Sequence, residues 1–177
     1  MPIDLAALTI RHYPDPCLRK ACNPVERFDE DLSRLAARIL ELMREAQGVG
    51  LAAPQVGLPI RLFVCNVTGE PADDRVYVNP ALSGFEGRVE SEEGCLSIPE
   101  VTVTVRRYLT CTMNALDVTG KSVVGVGSEL VARCWQHECD HLDGRLIIDH
   151  MSEADKIANR RTLRQLEQRH KGRAIAY

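Results

Sequence analysis

The stretch Gln136-His137-Glu138-Cys139-Asp140-His141 holds two imidazoles four residues apart with a carboxylate beside the first. If the stretch is helical, positions 137 and 141 are one turn apart, offset by about 6 Å along the axis and about 40° around it. Both rings can then address one metal ion. Glu138 stands about 100° around from His137, so its carboxylate comes beside such an ion and not onto it. That placement suits a general base acting on a water that the metal activates. A helix can also carry two such histidines by chance, so HExxH does not make a metal site by itself.

A catalytic site of this kind wants three protein ligands. The chain offers seven cysteines, at 17, 22, 65, 95, 111, 134 and 139. Cys134 shares the helical face of 137 and 141, but 134 and 141 are about 10.5 Å apart along the axis. Metal bonds of about 2.1–2.3 Å do not close that span without breaking the helix, so Cys134 reads as a pocket wall. Cys139 sits about 140° around from Cys134 and reads as a thiol packed away from the site. The best remote candidate is Cys95, in Glu93-Gly94-Cys95-Leu96-Ser97, where Gly94 permits close approach or an unusual dihedral. On the residues alone, a presented thiol and a core cysteine at a strand edge fit Cys95 equally well. Cys17, Cys22, Cys65 and Cys111 have no ligand neighbour and read as structural. The segment Gly48-Val49-Gly50-Leu51-Ala52-Ala53-Pro54-Gln55 has the letters of a dinucleotide loop but follows a helix and leads into a strand, which is the wrong context. Its glycines fit exposure of main-chain groups to an extended ligand, with Gln55 supplying an amide donor.

Elements must hold these groups in place. The spacing of Leu32, Leu35, Ile39, Leu42 and Met43 predicts a helix over 29–47. Strands are expected at 60–67 and 75–78, with a turn at Asn79-Pro80. Alternation at Val101, Val103 and Val105 predicts a strand, and another follows over 109–116, with a turn near Thr119-Gly120. A helix carrying HExxH fits 129–143 and stops at Gly144. A last helix runs from Ser152, its candidate cap, to about 171. The expected fold is α+β: antiparallel strands packed around the central HExxH helix, with an N-terminal and a C-terminal helix.

Composition sets the frame. With 177 residues, 45% hydrophobic and 27% charged, the chain fits one folded domain, 1–177, with 152–177 as a basic C-terminal helix and tail. No apolar run approaches the ~18–20 residues of a membrane helix, and the N-terminus is not leader-like. A net charge of −3 argues against nucleic acid as the main partner, so no direct DNA binding is expected. An odd number of cysteines without a CxxC pair points to free thiols in a reducing, cytoplasmic compartment. From Lys156 to Arg173 there are seven Lys/Arg and one Glu, a net of +6 that leaves −9 on the rest of the chain. Such a helix is either a solvated face or a dock for something anionic.

GVGLAAPQ, EGCLS and QHECDH occur in the order and separation of the three signature motifs of the peptide deformylases, and the chain resembles that family over nearly its whole length. The resemblance implies Cys95, His137 and His141 as ligands of one divalent metal ion, Fe2+ in the bacterial cell, with Zn2+, Ni2+ or Co2+ able to replace it. It implies Glu138 as the acid–base, with Gln55 and the Leu96 backbone N–H as donors to the developing oxyanion. The implied reaction removes the N-formyl group from the initiator methionine of nascent polypeptides. Val49 and Gly50 match the segment that pairs with the peptide backbone, and Val49, Glu93, Cys134 and His137 surround the methionine pocket. Ser91 stands where relatives often have an apolar residue, Arg133 adds a charge nearby, and Thr102 replaces an arginine of some bacterial members. Asp140 is expected to pair with Arg107. In related bacterial enzymes the C-terminal helix contacts the ribosome, which makes the basic segment a candidate docking element on a monomer. Two alternatives stand beside it. An HExxH metallopeptidase would want a downstream third His or Glu at the usual spacings. A non-catalytic metal or thiol protein would want CxxC pairs or a fourth ligand.

Overall fold

The structure, a computed structural model, describes residues 3–174, with side chains to 171. The C-terminal end of the expected 152–177 tail lies outside the described residues.

The first helix, α1, is Glu30–Glu45, and its start follows from local chemistry. The Asp29 side chain accepts the Leu32 N–H, and Glu30 and Asp31 place negative charge at the positive end of the helix. Leu32, Leu35, Ala36, Ile39, Leu42 and Met43 form its buried stripe. After it come strands β1 (Gly50–Ala52) and β2 (Leu62–Cys65), joined by a 3-10 turn at Ala53–Val56. Strand β3 (Arg75–Glu86) pairs with β2, and β6 (Thr110–Leu116) and β7 (Ser122–Ser128) complete an antiparallel sheet in the order β1-β2-β3-β6-β7. Between β3 and β6 the chain leaves the sheet as a separate hairpin, β4 (Val89–Cys95) and β5 (Ile98–Arg107).

The expected turn at Asn79-Pro80 is corrected: β3 runs through it. Asn79 has φ +50, the ladder to β6 shifts between Val78 and Ala81, and the Asn79 amide makes both main-chain hydrogen bonds to Val25. Proline lacks a ladder donor, so a bulge is where a strand accommodates it.

The helix α2 (Glu129–Leu142) packs against β1, β2, β6 and β7 and ends at Gly144, whose φ of +74 only glycine adopts without strain. Its apolar side, with Ala132, Trp135 and Leu142, joins Phe63, Tyr77 and Met113 in one core cluster, while α1 covers a second cluster on β1–β3. The last helix, α3 (Glu153–Ala174), opens on a reciprocal cap in which the Asp155 carboxylate accepts from Ser152 and the Ser152 hydroxyl accepts the Asp155 N–H. Leu163 and Leu166 of α3 pack with Val101, Val103 and Val105 of β5 in the third cluster. The observed α+β arrangement, antiparallel strands around α2 with α1 and α3 at the two ends, is the expected one.

Candidate active site and metal centre

Three of the elements converge on one point. Cys95 ends β4, Leu96 and Ser97 form the two-residue turn of the hairpin, and Cys95 pairs with Ile98 across it. The hairpin leans on α2 through Gln136, whose amide accepts the Tyr108 N–H at 2.9 Å and donates to the Tyr108 carbonyl at 2.9 Å. One consequence is that the Cys95 thiol meets the two imidazoles of α2. Ligand atoms of Cys95, His137 and His141 all lie within 4.8 Å of one another, and Cys95 Sγ is 3.3 Å from His141 Nε2. Cys134, by contrast, turns its Sγ to the Val49 carbonyl at 3.5 Å and lines the cleft beside the cluster. Cys139 is half-buried on another side of the helix, and all seven thiols are free.

Charge is organised around this cluster. Glu93 on β4 sits 3.1 Å from His137 Nδ1 and accepts two hydrogen bonds from Arg107, at 3.0 Å each. Holding Nδ1 on a carboxylate fixes the ring orientation and leaves Nε2 free for a metal. Arg107 also bonds Asp140, as expected, and Asp140 in turn contacts His150 and Arg145. Burial alone would raise the Glu93 carboxyl, but the His137 and Arg107 bonds outweigh it and bring it down to about 2. Burial likewise opposes ionisation of Cys95, yet the neighbouring His141 and His137 rings bring the thiol down to about 5. Cys17 and Cys139, desolvated without that support, are pushed up to about 12. Glu138 is buried, and desolvation lifts it to about 7 against the pull of both imidazoles. Among the described residues its Oε2 has no hydrogen-bond partner, and neither has His141 Nδ1. A half-buried cysteine sulfur, two imidazoles and a buried carboxylate are a donor set that fits a borderline divalent cation.

Gln55 closes the other side. Its Oε1 accepts the Ala52 N–H at 2.8 Å, and that contact decides the amide orientation because the partner can only donate. Nε2 therefore faces the cluster, 3.6 Å from Cys95 Sγ and 3.1 Å from Ser97 Oγ.

The cluster lies at the base of a cleft of about 480 Å³. Val49, Gly50, Gln55, Glu93, Cys95, Leu96, Cys134, His137 and Glu138 all line it, while His141 is buried at the metal-ligand cluster itself. Arg133 and Thr102 also line the cleft, whereas Ser91 does not, and its buried hydroxyl has no hydrogen-bond partner among the described residues. Glu93 faces the cleft with both carboxylate oxygens already engaged. Ser97 and Gln136 were not singled out in the sequence. Nothing in their local pattern marks them, since each acts on a group distant in the chain.

A sequence model described as polypeptide deformylase matches residues 7–157. The chain belongs to the polypeptide deformylase family. It is 43% identical to the peptide deformylase of Nitrosococcus oceani over 148 residues, which covers 84% of this chain and 89% of that protein. To the peptide deformylase of Alkalilimnicola ehrlichii it is also 43% identical, over 163 residues and 92% of each chain. Among solved structures, a peptide deformylase from Legionella pneumophila superposes with a TM-score of 0.86 at 41% identity, covering 93% of this chain and 97% of that one. One from Plasmodium falciparum gives 0.90 at 33% identity, covering 93% and 98%. Membership makes this chain an enzyme, a deformylase that hydrolyses the N-formyl group from the initiator methionine of nascent polypeptides. The family is metal-dependent, and the Cys95, His137 and His141 cluster is a candidate site for its cation.

Proposed function

We propose that Cys95, His137 and His141 hold the cation of the deformylation reaction, with Glu138 as the acid–base. The observation that carries this is the meeting of three ligand atoms within 4.8 Å, beside a buried carboxylate with an unpartnered oxygen, at the base of the cleft. When bound, the cation supplies Lewis acidity toward water and toward the formyl oxygen.

The chain's own residues do the rest. A formylated peptide lies extended along the free edge of β1, with Val49 and Gly50 offering main-chain partners as an added strand requires. The methionine side chain enters the part of the cleft walled by Val49, Glu93, Cys134 and His137. Glu138 takes a proton from the attacking water as oxygen bonds to the formyl carbon. Gln55 Nε2 and the Leu96 N–H donate to the oxygen on which charge develops. Each such donor is typically worth ~10²–10³ in rate. Glu138 then gives the proton to the leaving nitrogen, the C–N bond breaks, and formate and the free amine depart. Glu93 keeps His137 oriented throughout.

The cation in the cell is Fe2+, with Zn2+, Ni2+ and Co2+ as working substitutes. The family pattern and the thiolate–imidazole donor set support this assignment. The chain acts as a single catalytic domain, 1–177, monomeric and cytoplasmic. Its basic C-terminal helix, 152–177, docks on the ribosome; the net +6 between Lys156 and Arg173 supports that reading. Formate release from formyl-Met-Ala-Ser, measured anaerobically with iron- or nickel-loaded protein, tests the core of the proposal. Activity is expected with the wild type and absent in Glu138→Ala, which retains the cation. Activity surviving that change refutes the assignment of Glu138. Salt-sensitive ribosome binding, lost when residues after Ser152 are removed, tests the docking.

A further inference from the structure

A second concavity lies on the other side of α2. It measures about 580 Å³, and none of the residues lining it lines the active cleft. Gln136, Cys139 and Asp140 of α2 face it, between the Pro80–Phe85 part of β3 and the end of β5. Five arginines line this groove against two carboxylates, Asp140 and Asp143, on a chain whose net charge is −3. Both carboxylates are already shared. Asp140 bonds Arg107 and contacts Arg145 and His150, and Asp143 pairs with Arg61 and Arg145. Arg88 and Arg106 are left over: both are exposed, and among the described residues neither is in an ion pair. Glu90 stands opposite Arg106 in the ladder but does not line the groove.

The rim beside these cations is aromatic. The rings of Phe85 and Tyr108 have centroids 4.6 Å apart and are tilted by 34°. The Arg88 guanidinium carbon lies 4.2 Å from the Tyr108 ring centroid, and Arg88 Nη2 donates to the Tyr108 hydroxyl at 2.7 Å. Phe85 is 43% exposed, so an apolar ring stays open to solvent next to two uncommitted charges. The arrangement is preformed, because the Tyr108 main chain is held by both Gln136 bonds and the neighbouring Arg107 is buried in its own ion pairs. Guanidinium forks match the geometry of phosphate oxygens, and an open aromatic face accepts a planar base. The volume lies within the ~300–1,000 Å³ of small-molecule sites.

We propose that this groove is a second binding site, for a nucleoside phosphate, with the phosphate on Arg88 and Arg106 and the base against Phe85. A single nucleotide suits it better than a polynucleotide. Among the described residues of the lining only two arginines are free of ion pairs, and the chain as a whole is acidic, whereas a polynucleotide needs many phosphate contacts. The proposal is independent of the deformylase reading, since it uses none of the groups that the formyl-peptide chemistry needs.

The experiment titrates the cation-loaded enzyme with AMP, GMP and inorganic phosphate by calorimetry in about 50 mM NaCl. Both nucleotides are expected to bind, about tenfold more tightly than phosphate, because stacking of the base adds to the anion contact. The double variant Arg88→Gln/Arg106→Gln should weaken all three ligands by about 10–100-fold. Phe85→Ala should weaken the two nucleotides by about tenfold and leave phosphate unchanged. Both variants should turn over formyl-Met-Ala-Ser as the wild type does, which shows that they fold and carry the cation. No nucleotide binding up to about 5 mM, or phosphate binding as tightly as the nucleotides, overturns the proposal. Nucleotide binding that the double arginine variant leaves intact also overturns it, because the ligand then sits elsewhere, as on the active-site cation. Binding of a short single-stranded RNA without binding of either mononucleotide overturns it in favour of a polynucleotide surface.

Discussion

Gly50 is the position where a single methyl group should separate catalysis from folding. It lies in β1 with a φ outside the left-handed region, so the backbone there accepts alanine. Space does not. An alanine Cβ at 50 would stand 2.4 Å from Glu138 Oε1, 2.8 Å from Glu138 Cδ and 2.9 Å from Cys134 Sγ. Unstrained contact lies near ~3.5 Å, so the carboxylate must retreat by about 1 Å. Misplacing a catalytic group by that much costs about 10²-fold, or roughly 2.7 kcal/mol of barrier. None of the three atoms in conflict belongs to Cys95, His137 or His141. Gly50→Ala should therefore keep its cation, lose some stability to overpacking (about 1–3 kcal/mol) and lose about 10²-fold in kcat. The assay is formate release with kcat and KM separated, alongside cation content and a thermal melt. Gly125→Ala is the control. Its Cβ meets nothing within 4 Å, so activity should be unchanged and stability should rise by about 0.4–1 kcal/mol. A folded, cation-loaded Gly50→Ala enzyme within threefold of wild-type kcat refutes the reasoning, because it shows that the carboxylate position at Glu138 is not what limits the rate.

Four further outcomes are expected. Cys95→Ser should weaken cation binding far more than Cys134→Ser, as read by competition with a chelator; the reverse order would make Cys134 the ligand. Glu93→Gln should lower cation affinity by about 10–100-fold, because His137 loses its charged orienting partner and Arg107 one of its two buried counter-ions, and unchanged affinity would leave Glu93 without that role. Asp149 has its carboxyl held low: burial opposes this, but Arg19 and the Leu146 N–H outweigh it. A depressed folded pKa stabilises above the unfolded value of 3.8 and is lost as pH falls through the folded value. The melting-temperature gap between wild type and Asp149→Asn should therefore be present at neutral pH and close on acidification below about pH 4; a gap that widens there contradicts the sign. Ile39 of α1 is fully buried, so Ile39→Ala should cost about 2–5 kcal/mol in denaturant unfolding with kcat unchanged, and a loss under ~1 kcal/mol would show that the cluster collapses around the cavity.

What could be read from the sequence follows from how local each feature is. The two imidazoles were legible because one helix carries both, and helical geometry alone sets their separation. Cys95 stayed ambiguous on its own residues, since its meeting with His141 closes 46 positions later through the hairpin. The alternating valines of β5 announced a strand, whereas β4, with three glutamates in Val89–Cys95, and β7, with two glycines in Ser122–Ser128, gave no such alternation. Of the three, Glu90 and Glu92 face solvent, and the buried Glu93 is satisfied by Arg107 and His137, a partnership that is tertiary. Gln136 sits inside the most conspicuous motif, yet its task, holding Tyr108 of the hairpin, depends on a strand end 28 residues away.

The polar cluster behind α2 makes sense as a device that fixes rotation. Side-chain tips on a helix stand about 5–6 Å from its axis, so a turn of only 10° moves a ligand atom by about 1 Å. Productive sites tolerate about 0.5 Å. Apolar packing alone is permissive at that scale, because a helix can roll on a smooth core with little loss of buried area. Arg107 removes the freedom: one guanidinium from β5 bonds Glu93, which orients His137, and also Asp140 on the same helix. Lysine, with a single point charge, could not span both carboxylates in one plane. Gln136 adds a second tether one residue before His137, with two main-chain bonds to Tyr108. Three contact points within about one helical turn, at 136, 137 and 140, are thus bound to the hairpin that also carries Cys95. The proposed ligand set is keyed in this way: the helix that would supply two ligands is bonded directly to the strand pair that would supply the third.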